Sequence, residues 1–300
     1  MLTSYLTITR NLLGNPSGSL YSSAVLVTQI NTARQQIAAE FQCVRYLAAN
    51  APSVPALLAA VLTSGVITSV TVVGGGAGYV LTPSILVSGD GSGANLQAVI
   101  SNGVVTSVVV ISGGTEFTTA PALSTVGGGN EPNLVTVEGQ EVYPFSLVTF
   151  GSVQGYSEVL ALGNVSVIWG QQRFTLARRS WSTYQATIRN YTQSYQDVPG
   201  IAAQFGQGVN GSLYMYPVPN APYSLEWDCM CLPAAIATDT DPEVIPYPWT
   251  DAVPYFAAYL AFMSSGRNGD ADRMWKLFEM FGKRARAFSQ PRLMANPYGR

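Results

Sequence analysis

The sequence predicts an α+β chain: a helical bundle built from N- and C-terminal helices, an antiparallel β region between them, and an inserted all-β domain of two repeats. Three observations carry that expectation. Apolar residues recur at helical spacing near both ends of the 300-residue chain. Alternating runs broken by proline and glycine fill the middle. One strand-and-glycine phrase is written twice, as GVITSVTVVGGG at 65–76 and GVVTSVVVISGG at 103–114, 38 positions apart.

Taken in order, Thr3–Leu13 reads as a short helix ended by Gly14-Asn15-Pro16. Ser22 or Ser23 caps a longer helix expected to reach about Ala48, with Leu26, Ile30, Ala33, Ile37, Phe41 and Val44 on one stripe. Laying Gly65–Gly89 on Gly103–Gly127 gives ten identities in twenty-five without a gap, and Tyr79 meets Phe117. Each copy reads strand, glycine turn, aromatic, proline, second strand. Residues 134–233 read as ordinary mixed strands, clearest at 134–145 and 212–233, and Pro217–Pro222 suggests a hairpin turn between two alternating runs. Pro248-Trp249-Thr250 starts a helix to Gly266, with Pro254 tolerable in its first turn. Asp270 caps a last helix to about Phe288, and the final residues, rich in Pro and Gly, form an extended arm. The expected division is a core of 1–61 and 131–300, with the arm at 289–300, and an insert at 62–130.

Only 11% of the residues are charged, against about 25% in ordinary soluble proteins. Much of such a surface is expected to be covered by partner chains. The net charge of −2 divides unevenly: residues 267–300 carry +5 and the rest of the chain −7. A basic tail suits nucleic acid, an acidic protein surface or a solvated helix face, as the Asp272–Lys276 spacing allows. Cys43, Cys229 and Cys231 are too few and too unpaired for a disulfide framework or a zinc site, and read as buried thiols in a reducing compartment. No secretory signal is visible, and proline and glycine interrupt every apolar run, so no membrane span is expected.

The chain has no histidine, which removes Ser-His-Asp, Cys-His and histidine-ligated zinc chemistry together. Gly74–Gly78 lacks the Lys-Ser/Thr ending of a phosphate loop. Asp239, Asp241 and Glu243 alternate like calcium ligands but lack the length and distal glutamate of an EF-hand loop, so a solvated acidic loop is expected. Glu40, Glu138 and Glu141 give no identifiable acid–base pair for cell-wall cleavage. Arg178, Arg179 and Trp181 fit a nucleic-acid groove or, more simply, a polar edge with the indole packed inward. No cofactor and no metal are expected.

Four segments in order resemble the head-to-tail adaptor (connector) proteins of tailed bacteriophages. They are residues 8–40, where Leu12-Leu13-Gly14-Asn15-Pro16-Ser17-Gly18 precedes a helix containing Ile30, Asn31 and Ala33; VEGQEVYPF (137–145); SLYMYPVPNAPYSLEWD (212–228); and residues 245–281. The family's Asp is Asn15 here, and its histidine before Asp-Ala is Thr250. The resemblance covers about four-fifths of the chain, all but roughly 62–130.

It implies a non-enzymatic virion protein, made in the host cytoplasm and placed at the head–tail neck. It would form a ring, commonly of twelve copies, with the portal protein above and a tail nozzle, tube or fibre protein below or outside. The ring would extend a channel through which genomic DNA passes without specific binding. The resemblance also implies that the C-terminal segment reaches the portal, through Arg292, Leu293, Tyr298 and Arg300. The insert, with Tyr79, Pro83, Phe117 and Pro121 as its expected contact surface, would project outward. A β-repeat surface module binding fibres or a receptor is the alternative, and a peptidoglycan-cleaving enzyme a more distant one.

Overall fold

A computed structural model describes residues 1–14, 20–52, 54–150, 154–169, 172–189, 202–208 and 211–289. In chain order the helices and strands are α1 (Leu2–Leu12), α2 (Ser23–Phe41), β1 (Arg45–Ala49), β2 (Leu57–Thr63), β3 (Val66–Gly74), β4 (Ser84–Ser88), β5 (Ser92–Ser101), β6 (Val104–Thr115) and β7 (Ala122–Val126). There follow β8 (Val142–Pro144), β9 (Tyr156–Trp169), β10 (Gln172–Thr175), β11 (Ala177–Arg179), β12 (Gln204–Gly208), β13 (Ser212–Tyr216), β14 (Ser224–Pro233), α3 (Val253–Ser264) and α4 (Asn268–Ser289).

The expected helical-bundle core is corrected: 39% of the chain is strand and 29% helix, and six- and four-stranded sheets dominate. Two local features explain the shift. The second helix stops at Phe41, where Gln42 takes a left-handed conformation (φ 51°), and the following residues become β1 rather than more helix. The 14-residue strand β9 runs through Leu160, Ala161 and Leu162, residues at home in helices, and adds a long strand to the stretch 134–233 read as mixed strands.

The chain divides into two compact units, Met1–Tyr46 with Val153–Leu160 and Met230–Arg300, and Leu47–Ser152 with Ala161–Cys229. The first holds α1 to α4, and the short helical stretch 181–189 lies in the second. Ser22 caps α2 by accepting from the Val25 amide at 3.4 Å, and Leu26, Ile30, Ala33 and Ile37 are fully buried along one stripe. Leu26 meets Leu13, Ala258, Ala261, Phe262, Ala271 and Met274 in one cluster. Phe41–Trp249 at 4.5 Å and Phe256–Phe278 at 5.0 Å extend it with ring contacts. Pro254 sits in the first turn of α3, as expected, where its missing N–H removes no helical bond.

The second unit contains the repeat, which is longer than the sequence overlay. Each copy supplies three strands, β2–β4 and β5–β7, and every boundary moves by 38 positions between them to within a few residues. The sheet order is β3-β2-β7-β4-β5-β6. Each copy therefore gives its third strand to the other copy's hairpin, β7 against β2 and β4 against β5. β4 and β7 pair with each other, Leu86 opposite Ser124, and adding 38 maps that register onto itself. A pseudo-twofold axis passes between these two residues.

The outer strands β3 and β6 come together and nearly close the sheet into a barrel. The closing contacts are reciprocal. The Val105 amide donates to Gly75 O at 2.9 Å, the Tyr79 amide to Gly103 O at 3.1 Å, and the Phe117 amide to Gly65 O at 3.2 Å. Gly75 and Gly113 are required there: a Cβ would lie 2.5 Å from Val105 O in the first case and 2.3 Å from Ile67 O in the second. The stem is equally tight. The Gly129 amide donates to Asn50 O at 2.8 Å and the Glu131 amide to Ala49 O at 3.0 Å, so the chain enters and leaves the repeat at adjacent points.

The other strands form two four-stranded sheets, β1-β14-β9-β10 and β11-β12-β13-β8. The expected hairpin across Pro217–Pro222 does not form. Strand β13 is already bonded on both sides, by β12 and β8, so β14 joins the other sheet.

Candidate functional site

A cleft of about 450 Å³ lies in the second unit, beside the barrel. Pro52, Pro55, Leu57, Leu86, Val126, Trp169, Arg173 and Tyr223 are among its lining residues. Strand alternation puts Leu57, Leu86 and Val126 on the outside of the barrel, at 56%, 57% and 50% exposure. Trp169 ends β9 and is 55% exposed, its ring 6.3 Å from Phe174 on the adjoining β10. Arg173 is held by Glu226 at 2.7 Å. Arg173 and Tyr223 are the only titratable side chains of the described lining, so its means of binding are apolar contact, the hydroxyls of Ser124, Thr125, Tyr223 and Ser224, and one tethered cation, with no nucleophile–base pair.

The acidic loop at 238–243 is occupied by its own chain. Asp239 accepts from the N-terminal amine and the Thr3 amide, at 2.9 and 2.8 Å, and from the Thr3 hydroxyl. These bonds, the Thr3 hydroxyl foremost, hold its carboxyl well below the usual range. Asp241 accepts from the Ala237 and Thr238 amides at 2.6 and 2.8 Å, and is lowered for that reason. Glu243 grips the fully buried Arg34 with both oxygens, at 3.0 and 2.9 Å. Arg34 also donates to Ala234 O at 2.6 Å, and Tyr5 donates to Glu243 at 3.0 Å. Burial first, and Glu243 second, push the Tyr5 phenol well above its ordinary value. A bidentate buried pair of this kind fixes geometry, and losing one partner costs about 3–5 kcal/mol. Burial likewise pushes the Cys43 thiol up to about 12, far from a reactive thiolate.

The remaining expected positions fall as follows. Tyr79 and Phe117 are 3% and 4% exposed, and Pro83 and Pro121 are buried with them. Tyr79 and Phe117 belong to the barrel's two apolar clusters, and none of the four is exposed. Arg292, Leu293, Tyr298 and Arg300 lie outside the described residues. Trp181 packs inward, 4.7 Å from Tyr214 and stacked near Tyr184, and Arg179 donates to Gln204 at 2.7 Å. Glu40 and Glu138 are exposed, while Glu141 accepts from the Tyr184 hydroxyl at 3.1 Å. Asn31, from the second helix, uses its amide to bond both N and O of Ile236, at 2.9 and 3.0 Å.

The cleft itself had no sequence signature. Its apolar members look like ordinary strand residues, and only the observed alternation shows which face outward. No helix among the described residues is long and apolar enough to cross a membrane. Compared with known proteins, the chain matches no protein family and no curated relative.

Proposed function

We propose that the chain is a structural connector of a tailed-phage virion, forming a ring beneath the portal that joins head to tail and extends the DNA channel. One observation carries this reading: the four segments that resemble adaptor proteins, in the family's order, group in pairs. Segments 8–40 and 245–281 form the helical unit, where α2 packs on α3. Segments 137–145 and 212–228 meet in the second unit, where β8 pairs with β13 through Tyr143 opposite Leu213. The many exposed apolar side chains of a chain with 11% charged residues add support, since assembly would cover them.

The second reading, a β-repeat module that binds a fibre or receptor, is favoured by the barrel's narrow stem at Asn50 and Gly129. One experiment addresses both. The purified chain, and a version lacking residues 51–128 joined by a short Gly-Ser link, are mixed with the portal and imaged by negative stain. The connector reading expects both to collect as a ring on the portal. A full-length chain that never stacks on the portal would overturn it, and docking lost with the barrel would favour the second reading.

A further inference from the structure

The two halves of the barrel put different chemistry on equivalent surfaces. On the β2–β7 half, the apolar outward side chains are Leu57, Ala59, Val61, Ala122 and Val126, beside the polar Thr63. The pseudo-twofold places Asn95, Gln97, Val99, Ser84 and Ser88 at the same positions of the β4–β5 half. At the axis the exposed residue is Leu86 in one copy and Ser124 in the other. The backbone is the same on both sides, so strand formation does not explain the difference. Packing does not explain it either, because these residues are exposed. An apolar side chain kept at 50–57% exposure where its twin is Ser or Asn marks a surface used for contact.

We infer that the β2–β7 half of the barrel wall, with Leu86, is a contact surface for a second copy of this chain. The choice of partner follows from charge and area. Residues 54–129 contain only two charged side chains, Asp90 and Glu116, and none lies on this wall. The one cation beside it, Arg173, is already held by Glu226, so a charged partner would find no unpaired charge there, whereas a second wall meets it with no like charges opposed and with matching pleat. From the exposures of Leu57, Val61, Leu86, Val126 and the adjoining Trp169, the apolar area is ~500 Å². That is short of the ~800 Å² per partner of a standard interface. The wall therefore works as one of several contacts between copies, as in a ring, and alone gives weak association. The inference deepens the connector reading by naming a surface through which neighbouring subunits meet.

The test grafts one half onto the other. Leu57→Asn, Ala59→Gln, Leu86→Ser and Val126→Ser install the residues that the twin positions already carry on the same backbone, and Val126→Ser alone is the milder variant. The reverse set, Ser88→Val, Asn95→Leu and Gln97→Ala, makes both halves apolar. Sedimentation velocity of the full chain over about 1–100 μM reads self-association, and melting curves confirm folding. The expected result is association weakened about tenfold by the first set, less by Val126→Ser, and strengthened by the reverse set. Should the first set fail to fold, Val126→Ser and the reverse set decide the matter. Wild-type chain that stays monomeric throughout, or association indifferent to these substitutions, overturns the inference. Rings on the portal that ignore the wall would leave the connector reading and end this one. Wall-dependent association without portal docking would do the opposite.

Discussion

Residues 54–91 and 92–129 build the same three strands around different fillings. In one half of the barrel the Tyr79 hydroxyl accepts from the Ala56 amide at 2.7 Å and bonds Thr125 at 2.8 Å. The pseudo-twofold turns Tyr79 into Phe117 and Thr125 into Val87, and these two pack in one apolar cluster. A polar pair on one side is matched by an apolar pair on the other. What the copies keep in common is what closure demands: Gly75 and Gly113, Pro83 and Pro121, and Thr68 and Thr106, whose hydroxyls donate to Val61 O and Val99 O at the same 3.3 Å. Both hairpins also carry register shifts at equivalent places, after Val61 and after Val99. Identity between the copies thus marks the interior and its turns, and divergence marks either compensated interior pairs or the outer wall.

The largest break in that symmetry should come from its closing glycines. Gly113→Ala forces a Cβ to within 2.3 Å of Ile67 O, and Gly75→Ala does the same against Val105 O at 2.5 Å. Each is expected to destabilise the barrel by about 3 kcal/mol. Gly74→Ala, whose new Cβ would only touch Leu57 at 3.8 Å, should change stability by less than about 1 kcal/mol. Hydrogen exchange of the β3 and β6 amides is the measurement, and equal protection in all three variants would show that the seam does not hold the barrel shut.

A smaller effect follows from the interior pairs. Tyr79→Phe leaves the Ala56 amide and the Thr125 hydroxyl without their partner, at a cost of about 1–3 kcal/mol. Adding Thr125→Val recreates the other copy's filling and should recover part of the loss, with a coupling of about 1 kcal/mol in the double-mutant cycle. Additive losses in denaturant midpoints would show that the two positions are independent.

The repeat was legible in the sequence because its glycines, prolines and β-branched runs recur without a gap, and so were the cap at Ser22 and the buried stripe behind it. The first strand of each copy was not. LLAAVLT (57–63) and NLQAVIS (95–101) share Leu58/Leu96, Ala60/Ala98 and Val61/Val99 but no turn residue. Exchange of the third strands leaves no trace in one dimension, since either pairing satisfies the same alternation. The aromatic and proline of each copy suggested a contact surface in a run with few charges. They repeat because the barrel needs them buried. The hairpin reading at 217–222 failed similarly: proline and asparagine specify that the chain reverses, not which neighbour the next strand joins. The cleft with Trp169 depends on the outward faces of β4 and β7, which no local pattern reveals.

The weakest asymmetry lies at the turns following the exchanged strands. Asp90 accepts from the Thr118 hydroxyl and, at 3.0 Å, from its amide, while the equivalent position of the second copy is Gly128, which carries no acid. Those bonds, the hydroxyl first, hold the Asp90 carboxyl below its ordinary value. A carboxyl whose pKa is depressed by folding stabilises the fold above its unfolded value of about 3.9 and loses that contribution as pH falls through the folded value. The copies should therefore respond unequally to acid. In wild type, exchange protection around Thr118 should decline below about pH 4 before that around Val80, its counterpart in the first copy. Asp90→Asn should abolish the difference in pH dependence while lowering protection slightly at neutral pH. Because Asp90 is fully exposed, solvent screens the interaction and the effect should be the smallest of the three. Equal acid sensitivity at Thr118 in wild type and variant would remove Asp90 from the account of why the two copies differ.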